Sequence, residues 1–143
     1  MSIDGLDDAA IRDLLLNTRR IAVVGASANP MRPSNGVTGF LVGRGFEVTP
    51  VNPGLAGQRL HGQAVVGRLE EATPLEMVDI FRRSEEAGAV VDEAIRLGAR
   101  AVWMQLGVID MAAAERARAA GMVAVMDRCP VIEWSRLGLA RGG

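Results

Sequence analysis

The residues best suited to bind a ligand follow the first strongly apolar run of the chain, residues 21–24. They are Gly25, Ala26, Ser27, Arg32, Pro33 and Ser34. Backbone N–H groups at a glycine turn, a hydroxyl group, a guanidinium group and the start of a helix together bind phosphate. The glycine spacing is not the dinucleotide motif G-x-G-x-x-G, so the segment predicts a nucleotide-like ligand of undetermined type. The same residues also suit a long turn that holds no ligand.

A second apolar run, residues 46–51, ends at Asn52 and Pro53. A nicotinamide site normally has an acidic residue at this position, because a carboxylate accepts hydrogen bonds from the ribose hydroxyl groups. The nearest acid here is Glu47, at the opposite end of the run. NAD is therefore disfavoured. NADP stays open, since Arg59 is available to hold an additional ribose phosphate.

Residues 77–81 form a further run, and Arg82, Arg83 and Ser84 follow it directly. Two guanidinium groups beside the start of a helix favour anion binding. One arginine of such a pair is often only a solvated surface residue. We expect Arg82 rather than Arg83 to contact the ligand, and we expect Ser84 to belong to the same site.

Length and composition predict one globular domain over residues 1–143. Hydrophobic residues make up 49% of the chain and charged residues 23%, with a formal net charge of −1. No basic excess indicates nucleic acid, and no apolar run approaches the roughly 20 residues that cross a bilayer. The first residues lack a signal pattern. We therefore expect a cytoplasmic protein without a nucleic-acid or membrane partner.

Missing residue types narrow the chemistry further. All 16 basic residues are arginine, and the sequence contains neither lysine nor tyrosine. Schiff-base chemistry, a Walker lysine and a tyrosine acid are therefore excluded. Cys129 is the single cysteine, which excludes an intrachain disulfide, and one histidine with one cysteine does not complete a usual zinc site. We expect no bound metal.

Strand-like runs alternate with helix-like segments. The predicted strands are residues 21–24, 46–51, 77–81, 101–104 and 122–126, and the predicted helices begin near residues 6, 34, 84 and 111. Asp4, Asp7 and Asp8 favour the positive end of the first helix. Residues 59–62 predict a short edge strand and residues 65–71 a turn of helix. The alternation predicts an α/β, Rossmann-like, doubly wound fold in three layers, with a mainly parallel sheet of five or six strands.

Six segments lie, in order, at the ends of the predicted strands. They are Val24-Gly25-Ala26-Ser27, Arg32-Pro33-Ser34, Val51-Asn52-Pro53-Gly54, Asp79-Ile80-Phe81-Arg82-Arg83-Ser84, Trp103-Met104-Gln105-Leu106-Gly107 and Met126-Asp127-Arg128-Cys129-Pro130. As a set they resemble the small, stand-alone CoA-binding proteins with a Rossmann-like fold. That family is related to the nucleotide-binding part of the succinyl-CoA synthetase α subunit. The resemblance covers nearly the whole chain.

The resemblance implies coenzyme A as the ligand. It places the diphosphate over residues 25–34, the adenosine near Asn52 and Pro53, and the pantetheine arm toward Gln105 and Gly107. CoA carries several phosphate charges, so arginine side chains favour its binding, whereas an acid at the end of the second strand would repel its phosphates. The resemblance supplies no reaction, because the synthetase relatives use a phosphorylated histidine from a further domain, and His61 matches no such motif.

The remaining reactive side chains give no catalytic signature. We expect a structural or surface role for His61. Cys129 is either simply buried or a thiolate favoured by the adjacent Arg128. Asp127 and Glu133 either act as a base or orient Arg128.

The leading hypothesis is a non-catalytic or regulatory protein that binds CoA or an acyl-CoA at the carboxyl edge of the sheet. The alternative is an enzyme that either depends on NADP or uses Cys129 in CoA-thiol chemistry. Further partners are open: a homodimer or an unidentified protein.

Overall fold

The structure, a computed structural model, describes residues 2–140. Its strands are β1 (Arg20–Val24), β2 (Glu47–Val51), β3 (Arg59–Leu60), β4 (Gln63–Ala64), β5 (Met77–Ile80), β6 (Ala101–Met104) and β7 (Val123–Val125). Its helices are α1 (Asp8–Asn17), α2 (Pro33–Gly43), α3 (Ser84–Arg96), α4 (Met111–Ala119) and α5 (Pro130–Arg136), with short 3-10 helices at Pro53–Leu55 and Leu69–Ala72. Between residues 2 and 140, no helix is both long and apolar enough to span a membrane.

Five strands form one sheet in the order β2-β1-β5-β6-β7, and every neighbouring pair is parallel. From β1 the chain first moves outward to β2 and then returns to β5 on the other side of β1. Strand order therefore reverses between β1 and β5. The predicted α/β Rossmann-like fold is confirmed, with five strands. The edge strand predicted at residues 59–62 is instead part of a separate antiparallel hairpin of β3 and β4.

Two apolar cores cover the two faces of the sheet. On one face, α3 and α4 pack small buried residues such as Ala87, Ala94 and Ala114 against the strands. On the other face, α1, α2 and α5 contribute larger side chains, among them Leu41 and Trp134. Every residue of β5 and β6 is buried, as a sheet covered on both faces requires. A ligand of this fold therefore meets the sheet beyond its strand ends.

Some helix ends differ from the sequence expectation. Asp7 caps α1, where its Oδ1 accepts a hydrogen bond from the Ala10 N–H (2.9 Å), whereas Asp4 lies outside the helix and binds Arg128. At α2, the expected cap Ser34 is already helical and Arg32 occupies the capping position without a side-chain bond. The α5 helix was not predicted. It begins with Pro130, and proline suits the first position of a helix.

Candidate ligand-binding site

A cleft of about 1000 Å³ lies beyond the carboxyl ends of β1, β2, β5 and β6. It sits where strand order reverses, between the loops that follow β1 and β5. In open parallel sheets this reversal separates two neighbouring loops and leaves a crevice for ligands. The topology and the cleft therefore mark the same place.

Most residues predicted for the site line this cleft. They are Gly25, Ala26, Ser27, Arg32, Pro33, Ser34, Asn52, Arg82, Gln105 and Gly107. Pro53 and Ser84 are not among the lining residues. The Ser84 hydroxyl instead joins two loops, because it accepts a hydrogen bond from the Ile109 N–H (2.9 Å) and donates to the Gly107 carbonyl oxygen (3.2 Å). Its contacts make it a residue that positions the loop after β6.

Sequence reasoning missed other lining residues. They are Ala28, Asn29, Val37, Gly54, Leu55, Phe81, Glu86, Leu106 and Val108. Most lie in the same loops as predicted residues, so loop position was the available signal. Val37 and Glu86 come from helices, and each is three residues after another lining residue, Ser34 and Arg83. Residues three apart share a helix face, which is the signal that would have found them.

Gly25 shapes the turn at the end of β1. Its φ is +89°, and a Cβ atom at this position would lie 2.2 Å from the carbonyl oxygen of Phe81, so another residue does not fit without a backbone shift. The N–H groups of Gly25 and Ala26 both donate to the carbonyl oxygen of Val51 (3.2 and 3.3 Å). These two groups are therefore used within the fold, and the phosphate donors must come from elsewhere in the loop.

Hydrogen bonds from side chains hold the loop after β1 in place. Ser27 Oγ accepts from the Asn29 N–H (3.0 Å), and Asn35 Nδ2 donates to the Ser27 carbonyl oxygen (2.8 Å). The backbone N–H groups of Ser27, Ala28 and Ser34 have no hydrogen-bond partner in the described part of the chain. In a loop that is already ordered, these are the donors open to an anion.

At the end of β2, Asn52 carries an amide where a nicotinamide site has an acid. Its Nδ2 donates to the Ala26 carbonyl oxygen (2.7 Å), and its Oδ1 accepts from the Gly54 N–H (2.8 Å). Asn52 thus joins the first two loops of the cleft. Arg59, the residue that kept NADP open, donates to the Gly62 carbonyl oxygen in the hairpin (2.9 Å) and does not line the cleft.

The arginines of the cleft differ in their partners. Arg32 and Arg82 line it from opposite sides of the strand reversal, and neither guanidinium group has an ion-pair or hydrogen-bond partner among residues 2–140. Arg83 lies 3.5 Å from Glu85 and 3.3 Å from Glu86. The contacts thus favour Arg82 over Arg83 as an anion contact, because the charge of Arg83 is already compensated.

The loop after β6 is fixed from the neighbouring strand. Asp127, with φ +57°, accepts a hydrogen bond on Oδ1 from the Gly107 N–H (2.8 Å). Gly107 is therefore held on both sides: its N–H donates to Asp127, and its carbonyl oxygen accepts from the Ser84 hydroxyl. Asp127 acts here as a loop anchor, which is a role that neither of the sequence hypotheses gave it.

Next to this loop, Arg128 forms a buried ion cluster. Its guanidinium group binds Asp4 Oδ2 (2.8 Å) and Glu133 Oε1 (2.6 Å). Burial alone would raise the pKa of Asp4, but hydrogen bonds from Arg128, Ser2 and two backbone N–H groups outweigh it and hold that pKa below its ordinary value. Contact with Asp4 correspondingly raises the pKa of Arg128.

The cluster borders a second cavity of about 1130 Å³, along the N-terminal segment. Arg136, which also lines it, is bound to Asp8 (2.8 Å) and to Glu133 (3.1 Å). The basic groups of this larger cavity are thus all neutralised within the fold, unlike Arg32 and Arg82. The cleft at the strand reversal is the better ligand site.

A family model described as a CoA binding domain matches residues 19–135 of the chain. The chain belongs to the CoA binding domain family. The resemblance stated from the sequence motifs is thereby confirmed.

Relatives of this CoA binding domain protein span nearly its whole length. The uncharacterized protein YneT from Bacillus subtilis is 35% identical over 121 residues, which are 85% of this chain and 89% of YneT. A solved structure of a hypothetical protein from Pyrococcus horikoshii superposes with a TM-score of 0.90 at 34% identity and covers 97% of both chains. A protein from Thermus thermophilus gives a TM-score of 0.86 at 32% identity, over 92% of this chain and 99% of its own.

In this member of the CoA binding domain family, Cys129 lies in the cleft wall but is mostly buried. Arg128 does not offer it a free positive charge, because the guanidinium group is bound to Asp4 and Glu133. Glu133 is paired with Arg128, which fits the second of the two roles that the sequence left open for it. His61 lies outside the cleft, with Nε2 2.9 Å from the Asn35 carbonyl oxygen, which is the expected structural role. Residues 2–140 contain no cluster of three or more potential metal ligands.

Proposed function

We propose that the protein binds coenzyme A or an acyl-CoA in the cleft at the strand reversal, as a non-catalytic or regulatory binding protein. The observation that carries the proposal is the pair of unpartnered arginines, Arg32 and Arg82, in a cleft of a CoA binding domain. Exposed arginines commonly lack a partner, but two unpaired guanidinium groups that line the same cleft beside free N–H donors suit a ligand with several phosphate oxygens.

CoA matches the distribution of these groups. Its diphosphate suits the N–H groups of Ser27, Ala28 and Ser34 together with Arg32, and its ribose phosphate suits a second guanidinium group. The adenosine part lies near Asn52 and Pro53 in this proposal, and the pantetheine arm runs toward Gln105 and Gly107. An amide at the end of β2 does not repel these phosphates, whereas the acid of a nicotinamide site would.

The lining of the cleft also supports a binding protein over an enzyme. Its ionisable side chains are Arg32, Arg82, Arg83, Glu86 and Cys129. A nucleophile with an adjacent base is the usual requirement for covalent catalysis. Glu86, the acid in this set, is paired with Arg83 (3.3 Å). The enzyme alternative now depends on Cys129 alone, since Arg59 no longer supports NADP.

Calorimetric titration with CoA, dephospho-CoA, NAD and NADP tests the proposal. We expect CoA to bind, and dephospho-CoA to bind more weakly because it lacks one phosphate group for an arginine. NAD and NADP should bind far more weakly than either. Tight NADP binding without a CoA response would show that the ligand is wrong.

Mass spectrometry of ligand that stays bound through native purification identifies the acyl group without a prior guess. The cytoplasmic location and the homodimer or other protein partner stay predictions, and gel filtration measures the oligomeric state.

A further inference from the structure

Three buried acceptor atoms have no hydrogen-bond donor among residues 2–140: both carboxyl oxygens of Asp79 and Oε1 of Gln105. Asp79 lies in the middle strand of the sheet and is fully buried. An ionised carboxylate there would be removed from bulk solvent and would have no donor from the described chain to stabilise its charge. Burial accordingly raises the pKa of Asp79 well above its ordinary value. The surroundings favour a neutral carboxylic acid, and such an acid is a hydrogen-bond donor.

The sheet register brings Asp79 and Gln105 to the same face. Asp79 on β5 is paired with Trp103 on β6, and the Gln105 N–H donates to the Ile80 carbonyl oxygen (3.3 Å), which extends the ladder by one step. Alternation along a strand then puts Asp79, Trp103 and Gln105 on one side. Strand spacing and rise separate the Cβ atoms of the two polar residues by about 8 Å, a span that their side chains bridge with one hydrogen bond.

Two donors on this face are already used within the fold. The Trp103 indole N–H donates to a backbone carbonyl in the loop after β7 (2.8 Å), and the buried Thr38 hydroxyl on α2 donates within its own helix (2.7 Å). Ser34, in the first turn of α2, carries a further buried hydroxyl group and lines the cleft. Glu133 on α5 is the buried carboxylate of the covering helices, and two arginines hold it. A proton on Asp79 supplies a donor that satisfies both orphaned acceptors at once.

We propose that Asp79 is a neutral carboxylic acid that donates a hydrogen bond to Oε1 of Gln105, and that this bond fixes the Gln105 amide with its N–H donors facing the cleft. Only the oxygen of the amide is buried without a partner, whereas the residue itself lines the cleft. The nitrogen is therefore the atom that a ligand meets. Asp79 is a positioning residue in this arrangement, one layer below the ligand.

A fixed amide nitrogen at this position donates a hydrogen bond to a carbonyl oxygen of the ligand. The inference rests on the proposed function, and it names the part of the ligand that Gln105 recognises: an amide carbonyl of the pantetheine arm. A bound nucleotide without such an arm leaves this donor unused. Gln105 thereby distinguishes CoA from nucleotides that share its phosphates and adenine.

Infrared spectroscopy in heavy water tests the protonation of Asp79 directly. We expect the absorption band of a protonated carboxylic acid at neutral pH in the wild-type protein and its loss in Asp79→Asn. A wild-type spectrum without this band would overturn the proposal, because an ionised Asp79 accepts hydrogen bonds and would turn the amide of Gln105 the other way.

Calorimetry with CoA tests the effect on the ligand. Asp79→Val removes the donor and should weaken CoA binding about 3- to 10-fold, the usual worth of one neutral hydrogen bond. Asp79→Asn supplies an N–H donor in place of the O–H and should restore the affinity that Asp79→Val loses. Gln105→Leu should weaken binding similarly, and Asp79→Val should cost nothing more in that background, because both changes remove one interaction.

Controls separate this inference from the proposed function. Gln63→Leu, on the hairpin outside the cleft, should leave CoA affinity unchanged, and an adenosine bisphosphate without the pantetheine arm should bind equally to all variants. Equal CoA affinity of Asp79→Val and wild type would overturn the role of Asp79. If the wild type does not bind CoA at all, the proposed function fails, and the infrared band still decides whether Asp79 is protonated.

Discussion

The Asp4–Arg128–Glu133 cluster and the cleft differ in whether their charged and buried polar groups have partners. In the cluster, each buried charge is compensated at hydrogen-bond distance. In the cleft, Arg32 and Arg82 have no partner in the described chain, and Asp79 lies beneath the floor without a donor. A buried polar group without a partner, such as Asp79, costs stability. The contrast indicates that the cluster serves the fold, whereas the cleft keeps bonding capacity for a ligand.

The largest expected effect is the loss of the cluster. Replacing Arg128→Met leaves Asp4 as a buried charge without its main partner and leaves Glu133 with Arg136 alone, which should lower the free energy of unfolding by about 3–5 kcal/mol. Urea denaturation measures this change. Arg116→Met is the matched control, because its ion pair with Asp92 (2.8 Å) is exposed and should contribute less than about 1 kcal/mol. Similar losses in the two variants would contradict a structural role specific to the cluster.

Arg32→Ala should show the reverse pattern. We expect CoA affinity to fall about 10- to 100-fold, because a charge-assisted hydrogen bond to phosphate is lost, while the free energy of unfolding stays unchanged. Arg82→Ala should behave in the same way. Calorimetry and urea denaturation on the same samples give both quantities. The control is Arg100→Ala, an exposed arginine at the amino-terminal edge of the sheet. Unchanged CoA affinity in Arg32→Ala would remove that residue from the site.

The difference between the two regions also explains what the sequence made predictable. The cleft is built from loops that follow apolar runs, so Gly25, Arg32 and Arg82 are visible from local pattern and from the topology that the pattern implies. The cluster joins Asp4 to Arg128, which are 124 residues apart. No local signal connects them, and Asp4 therefore suggested a helix cap.

Two further side chains show the same limit of local pattern. Ser84 and Asp127 have side chains that suit a ligand or a base, yet each holds the loop around Gly107. The hydrogen-bond partner of a polar side chain depends on which other strand or helix packs against it. That approach is a tertiary property, and the spacing of residues within one segment does not report it.

The two buried aspartates predict opposite responses to pH. The pKa of Asp4 is lowered in the folded protein, so its stabilisation is present above its unfolded pKa and is lost as pH falls. The pKa of Asp79 is raised, so the unfolded chain gives up this proton near the ordinary value of 3.8 while the folded protein retains it, and stability is lost as pH rises. Asp79→Asn removes this loss and should be more stable than wild type at neutral pH.

Urea denaturation of Asp79→Asn and Asp4→Asn at neutral pH and at a pH below the ordinary aspartate pKa of 3.8 checks these signs. The advantage of Asp79→Asn over wild type should grow with rising pH, whereas the deficit of Asp4→Asn should shrink as pH falls. A pH-independent difference between Asp79→Asn and wild type would mean that Asp79 has an ordinary pKa and a donor that the structure does not show.

The smallest expected effect belongs to Arg83, which lines the cleft but resembles the cluster in being paired. Its contacts with Glu85 and Glu86 are exposed, so Arg83→Ala should change the free energy of unfolding by less than about 1 kcal/mol. CoA affinity should fall less than about threefold, because the compensated charge attracts phosphate weakly. The double variant Glu85→Gln with Glu86→Gln releases Arg83 and should tighten CoA binding. If Arg83→Ala instead matches the loss in Arg82→Ala, pairing within the chain is not what separates ligand-binding arginines from the others.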